Sequence, residues 1–144
     1  MNSSFSIKTF GCKTNQYDSQ RVREALCALG LQEVSDTGAP AFLLVNNCGV
    51  TRHSIAKARK YIRKMRRNMP AGKILVFGCL DDREASEFKA AGADAAVAGH
   101  DIQKILDLLV PEKPVVVPAG ITAFSGHTRA FVKIQNGCSG TCAY

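Results

Sequence analysis

Three runs in this sequence have the pattern of a strand, one by alternation and two by continuous apolar residues, and each ends close to a cysteine that a stretch with helical spacing follows. The runs are FSIKTF before Cys12, AFLLV before Cys48 and KILVF before Cys79. Strands that alternate with helices need crossover connections, which produce a mostly parallel sheet with helices on both faces. The sequence therefore predicts an α/β fold of the flavodoxin- or Rossmann-like kind.

Helix end signals refine this prediction. Asn15 is predicted as the N-cap of a first helix that runs to about Leu29, and Asp101 as the cap of a last one. Domain boundaries follow from a proline-rich segment. The segment PEKPVVVPAG contains three prolines and is typical of a linker. We therefore predict a first domain over 1–110, a linker over 111–127 and the start of a second domain over 128–144. The second domain is expected to open with a strand over 128–135.

Charge and cysteine content limit the classes of partner and site. The net charge is +7, and no acidic residue lies between Asp36 and Asp81, although nine Lys and Arg residues do. This basic segment favours an anionic partner such as RNA, with a merely solvated face as the alternative. No run has the length of a membrane span, and Met1 to Ser4 lack the features of a signal peptide. We expect a cytoplasmic protein whose six cysteines are reduced.

The strand-end cysteines are candidate metal ligands. Carboxyl ends of parallel strands meet at one edge of a sheet, so Cys12, Cys48 and Cys79 are expected there although they are 36 and 31 residues apart. Three thiolates suit an iron–sulfur cluster with one open iron, whereas structural zinc needs a fourth ligand. Buried cysteines that only fill space are the alternative, and this is the reading we prefer for Cys27.

The end of the sequence, NGCSGTCAY, contains a second candidate pair. Cys138 and Cys142 have the spacing C-x-x-x-C in a glycine-rich segment after AFVKIQ. This spacing alone is a weak signal, because two thiolates do not hold a cluster.

Taken in order, four segments resemble the N-terminal part of the radical S-adenosylmethionine methylthiotransferases. They are TFGCKTNQYDSQ, LLVNNCGVT, LVFGCLDDR and TRAFVKIQNGCSGTCAY. The resemblance implies an auxiliary 4Fe-4S cluster on Cys12, Cys48 and Cys79. It also implies that Cys138 and Cys142 begin the loop of a second 4Fe-4S cluster, in a truncated radical β/α barrel.

The same resemblance implies a cofactor contact and an activity. Tyr144 is expected near the adenine of S-adenosylmethionine, and the third ligand of the second cluster would be residue 145. The complete enzyme would insert a methylthio group into N6-threonylcarbamoyladenosine beside the tRNA anticodon. This chain is expected to be inactive alone, and none of its residues is assigned a catalytic role.

The branch of the family depends on the residues after the first cysteine. Lys13, followed by Asn15, Gln16 and Tyr17, resembles the threonylcarbamoyladenosine branch. The isopentenyladenosine and ribosomal-protein branches remain alternatives, as does a non-catalytic metal-holding module that binds RNA. A flavodoxin-like nucleotide binder is disfavoured because no glycine-rich phosphate loop follows any strand.

Several positions depart from the family pattern. Asn47 stands where threonine is usual, Asp81 and Asp82 replace Ala-Gln, and His100 replaces an asparagine. His100, like His53 and His127, is predicted to have a surface or capping role.

Overall fold

The computed structural model describes residues 3–114, 116–117, 119–124, 126, 128–135 and 138–143. Strands and helices alternate through the first 109 residues, apart from a short 3-10 turn at Asp36–Gly38. In chain order the elements are β1 (Ser4–Phe10), α1 (Lys13–Ala28), β2 (Gln32–Glu33), β3 (Phe42–Asn47), α2 (Arg52–Asn68), β4 (Lys73–Gly78), α3 (Asp82–Ala91), β5 (Ala95–Ala98) and α4 (Ile102–Leu109).

The five strands form one sheet in the order β2-β1-β3-β4-β5, and every pairing between named strands is parallel. The three central strands are aligned without offset: Phe5 pairs with Phe42, which pairs with Lys73. The predicted mostly parallel α/β sheet is confirmed. Because the central strands start level and have similar lengths, their carboxyl ends also lie level.

Helices cover both faces of the sheet, as predicted. Alternate side chains of β3 point to opposite faces, so Leu44 packs with residues of α1 and α4, whereas Leu43 and Val45 pack with α2 and α3. All three side chains are fully buried. Strands buried on both faces explain why AFLLV and KILVF are continuous apolar runs in the sequence.

The predicted cap of α1 is wrong. Cys12 is the N-cap, and Asn15 is the third residue of the helix, where its Oδ1 accepts the backbone N–H of Cys12 at 3.3 Å. Both residues precede the apolar stripe, so periodicity could not distinguish the cap from the residue that reaches back to it.

The predicted strand over 128–135 is also wrong, because no strand is assigned to these residues. A strand exists only when hydrogen-bonded to a neighbour, and this segment instead contacts α1 through side chains. Lys133 Nζ donates to Asp18 Oδ1 at 2.8 Å, and Lys13 Nζ lies 5.3 Å from the centre of the Phe131 ring. Nowhere in the described part of the chain is a helix both long and apolar enough to cross a membrane.

Candidate metal centre

The register of the sheet brings the three strand-end cysteines to one edge. Phe10, Asn47 and Gly78 are the last paired residues of β1, β3 and β4 and lie side by side. Just beyond them, the N–H of Cys48 donates to the carbonyl of Phe10 at 2.8 Å, and the N–H of Cys79 donates to the carbonyl of Asn47 at 3.1 Å. Since neighbouring strands are about 4.8 Å apart, these loops are close neighbours.

The first loop holds its cysteine at the start of α1. The Cys12 Sγ lies 3.3 Å from Oδ1 of Asn15. The backbone N–H of Asn15 is the main cause that lowers the pKa of Cys12 below its ordinary value. A thiol at a helix N-terminus is thereby biased towards thiolate, which is the form that binds metal.

Two glycines let the cysteine loops approach each other. A Cβ at Gly11 would lie 2.7 Å from Cγ of Asn15 and 2.9 Å from Cβ of Cys48. A Cβ at Gly49 would overlap the carbonyl oxygen of Cys79. Larger residues at either position would push the three loops apart.

The thiols are near enough to influence one another electrostatically, although their side chains do not converge on a point. Partial burial, followed by the neighbouring Cys48 thiol and more weakly that of Cys12, raises the pKa of Cys79. Cys48 is buried, whereas Cys12 and Cys79 are exposed. Within the described ranges, no three His, Cys, Asp or Glu side chains are placed closely enough to ligate one metal ion.

A buried amide network supports the first loop from β3. Asn46 is fully buried, and its Nδ2 donates to the carbonyl of Asn15 at 2.8 Å and to Oγ of Ser19 at 3.0 Å. Its Oδ1 accepts from Nδ2 of Asn15 at 2.9 Å. Asn46 thus fixes the same asparagine that contacts Cys12.

The adjacent Asn47 differs, because neither Oδ1 nor Nδ2 of this fully buried side chain has a hydrogen-bond partner among the described residues. Buried amides are almost always paired, so one next to Cys48 requires explanation. Amide N–H groups hydrogen-bond to the sulfurs of iron–sulfur clusters. Three thiols and an unpaired amide are the residue types that ligate and hydrogen-bond an iron–sulfur cluster, although the three thiol side chains do not converge on one point in this structure.

Cys138 and Cys142 belong to the segment after α4 and not to the loops that follow β1, β3 and β4. Cys138 and Cys142 are exposed, and Sγ of Cys138 accepts the N–H of Gly140 at 3.2 Å. Tyr144 lies outside the described residues, as does His127. The prediction that Cys27 packs in the core is wrong: its side chain is exposed, because this position falls beside the buried stripe of α1.

Sequence reasoning missed one buried cluster at the same edge. The carboxylate of Asp18 has 2% of its surface exposed and lies 3.4 Å from Nδ1 of His100, while its other oxygen binds Lys133. The predicted surface role of His100 is therefore wrong. The segment DAAVAGH follows the strand–Gly–X pattern of Gly11-Cys12 and Gly78-Cys79, and this overlooked signal would have placed His100 at a strand end.

The buried histidine makes stability depend on pH. Burial lowers the pKa of His100 below its ordinary 6.5, Asp18 opposes this shift and Lys133 adds to it. The unfolded chain therefore takes up the proton first, so the folded state loses stability as the pH falls below about 6.5. We expect the free energy of unfolding of the wild type to fall relative to that of His100→Asn between pH 7 and pH 5, measured by urea denaturation at constant ionic strength.

His53→Asn is the matched control, since His53 is an exposed histidine on α2. It should keep the wild-type dependence on pH. A difference between wild type and His100→Asn that stays constant from pH 7 to pH 5 would contradict the expectation.

Comparison with protein families gives a match to the model described as "Uncharacterized protein family UPF0004", over residues 4–99. The threonylcarbamoyladenosine tRNA methylthiotransferase MtaB of Chlamydia pneumoniae is 32% identical, over 97% of this chain and 34% of the relative. MtaB of Thermotoga maritima is 31% identical, over 96% and 34%. The tRNA-2-methylthio-N(6)-dimethylallyladenosine synthase of Syntrophobacter fumaroxidans is 31% identical, over 96% and 35%. The chain thus spans roughly a third of the length of these relatives.

Solved structures with the same fold are receiver-like domains. A response regulator from Burkholderia pseudomallei matches with a TM-score of 0.55 at 15% identity, over 73% of this chain and 65% of that one. The DrrB receiver domain matches with a TM-score of 0.54 at 15% identity, over 76% and 95%. At this level of identity the likeness establishes the CheY-like, flavodoxin-like fold alone.

Proposed function

The chain belongs to the UPF0004 family, the N-terminal domain of methylthiotransferases, and from that premise we propose that it is the cluster-binding part of a tRNA methylthiotransferase. Residues 1–110 form the cluster-binding domain, 111–127 link it onward, and 128–144 begin a radical S-adenosylmethionine domain. The proposed substrate is N6-threonylcarbamoyladenosine beside the anticodon, and the enzyme acts in the cytoplasm, where tRNA is found.

Three thiols at the ends of three neighbouring parallel strands carry this proposal. Cys12, Cys48 and Cys79 would hold a 4Fe-4S cluster that keeps one iron free of protein ligands. Cys12 would bind as the thiolate that the start of α1 favours. The unpaired amide of Asn47 supports the same assignment, because its N–H groups would meet a cluster sulfur.

The tail would contribute to a second site. Cys138 and Cys142 would provide two ligands of the radical cluster, and Tyr144 would lie against the adenine of S-adenosylmethionine. When bound, the first cluster supplies sulfur and the second, with S-adenosylmethionine, supplies the radical that activates the C–H bond. Asp18 holds Lys133, and so keeps the segment that leads to Cys138 against α1.

The choice of nucleotide rests on the residues after Cys12 and on similar relatives. Lys13 replaces the glutamine usual in the isopentenyladenosine branch, and relatives named for threonylcarbamoyladenosine match over nearly all of this chain. A relative named for dimethylallyladenosine matches at comparable identity, so Lys13 carries the distinction.

Anaerobic reconstitution with iron and sulfide tests the proposal. We expect about four irons per chain and the broad visible absorption of a cluster, and loss of both in the variant Cys12→Ala/Cys48→Ala/Cys79→Ala. The double variant Cys138→Ala/Cys142→Ala should still load about four irons, because two thiolates alone do not hold a cluster.

Cys27→Ala is the matched control, since it removes one exposed thiol from α1 without touching the sheet edge. It should load iron like the wild type. Unchanged iron content in the triple variant would overturn the assignment, and so would stoichiometric zinc without visible absorption in the reconstituted wild type.

A further inference from the structure

Six of the eight basic residues of α2 fall into two groups. Arg59 binds Glu87 of α3 at 2.6 Å, and Arg66 binds Asp94 at 2.5 Å and also donates to the carbonyl of Gly92. These two arginines therefore link α2 to α3 and to the loop that follows it. Their positive charges are paired with carboxylates of the same domain.

The second group has no such role. Lys57, Lys60, Lys64 and Arg67 recur at intervals of three and four residues, which places them on one face of the helix, here named the α2 basic face. All four are exposed. Within the described part of the chain, no carboxylate lies within ion-pairing distance of any of them.

Like charges three and four residues apart destabilise a helix. An ordinary solvated face mixes charges of both signs, so four cations without an anion have a stability cost that folding does not explain. This arrangement is the one expected of a surface that meets a row of negative charges.

An aromatic side chain lies beside these cations. Nζ of Lys8, on β1, lies 5.7 Å from the centre of the Tyr61 ring. Oη of Tyr61 donates to Asp36 at 2.9 Å, and the rings of Phe10 and Tyr61 meet edge to face with their centroids 5.6 Å apart. These contacts hold Tyr61 in place. Lys8, Phe10 and Tyr61 line a groove of about 350 Å³ together with the α2 basic face.

We propose that this groove binds the sugar-phosphate backbone of RNA, with Lys57, Lys60, Lys64, Arg67 and Lys8 on phosphates and Tyr61 available to stack on a base. The α2 basic face is about 15 Å long at 1.5 Å per residue, enough for several successive phosphates. Cations combined with a fixed aromatic ring are the features by which proteins hold single-stranded nucleic acid. This inference deepens the proposed function, on which its choice of RNA rests.

A membrane surface is a poorer partner for the same charges. Helices that lie on membranes insert an exposed apolar face. The apolar face of α2 is not exposed and so cannot insert into a bilayer, since Ala58 and Ile62 are fully buried against the sheet. The position of the groove also favours RNA, because Phe10 is two residues before Cys12. A strand bound there would run beside the cysteine edge.

Binding of a fluorescent tRNA anticodon stem-loop to the full 144-residue chain tests the inference. The variant Lys57→Gln/Lys60→Gln/Lys64→Gln/Arg67→Gln should bind roughly tenfold or more weakly. The slope of log affinity against log salt should become shallower by about 3, since four phosphate contacts are lost at about 0.7 each. Tyr61→Leu should weaken binding by roughly fivefold without changing that slope.

The matched control is Lys89→Gln/Lys104→Gln/Lys113→Gln/Arg129→Gln, which removes the same charge from exposed sites outside α2. An equal loss of affinity in this control would overturn the inference. So would equally tight binding of the wild type to phosphatidylserine vesicles at the same salt concentration. The α2 variant should melt at the same or a higher temperature, because it relieves repulsion between like charges.

Iron loading separates this inference from the proposed function. The α2 variant should load iron like the wild type. A chain that loads iron but binds RNA equally well with and without the α2 charges contradicts only the groove. A chain that binds RNA through α2 but loads no iron contradicts only the cluster.

Discussion

Gly78→Ala is expected to lower the free energy of unfolding by about 4 kcal/mol, the sum of about 1–3 kcal/mol of backbone strain and a similar cost of overpacking. Gly78 has φ +120°, which side chains rarely adopt. A Cβ there would overlap the carbonyl oxygen of Asn47 and lie 2.7 Å from Oδ1 of Asn46. The neighbouring strand β3 is buried on both faces and has no room to move away.

Urea denaturation of the apo chain measures this loss, with Gly30→Ala as the control. Gly30 also has a positive φ, of +83°, but a Cβ there would meet nothing within 4 Å. It should cost only about 1–2 kcal/mol, the strain of a left-handed residue. Equal losses in the two variants would show that close approach at the end of β4 is unimportant.

Asn46→Ala is expected to cost about 3 kcal/mol, because each buried polar group left without a partner costs about 1–3 kcal/mol. The substitution removes the acceptor of Asn15 Nδ2 and the donor to Ser19 Oγ. Asn15 would keep a longer bond to the carbonyl of Asn47, at 3.3 Å, and Ser19 would keep Thr9, at 2.8 Å. These residual contacts limit the loss.

A double-mutant cycle with Ser19→Ala isolates the contact, with an expected coupling of about 1 kcal/mol. Asn68→Ala, on the exposed end of α2, is the matched control and should stay within about 0.5 kcal/mol of the wild type. An Asn46→Ala chain as stable as this control would show that the buried network does not hold α1 to β3.

The sequence predicted the sheet because its signals are local. Each run that ends just before a cysteine and is followed by a helix marks a strand, and parallel topology then places Cys12, Cys48 and Cys79 at one edge. The buried residues of α2 likewise follow a local pattern, since Ala58, Ile62 and Met65 recur at intervals of four and three residues.

Contacts between distant residues were not predictable in this way. His100 meets Asp18 from 82 positions away, and nothing near either residue specifies that pair. Segment 128–135 has the alternation of a strand, yet pattern alone does not supply a neighbouring strand. Which basic residues of α2 form ion pairs likewise depends on a distant part of the chain. Arg59 pairs with Glu87 on α3, and Arg66 pairs with Asp94 just after it.

The all-parallel sheet also affects when the cysteine edge comes into existence. Parallel neighbours cannot be joined by a hairpin, so β1, β3 and β4 meet only after the helices between them have crossed the sheet. Such non-local pairing forms slowly compared with local contacts. The three thiols therefore come together only in the folded domain. A cofactor that binds only the folded domain would then stabilise that domain, and the gain in melting temperature would grow with the logarithm of the cofactor concentration.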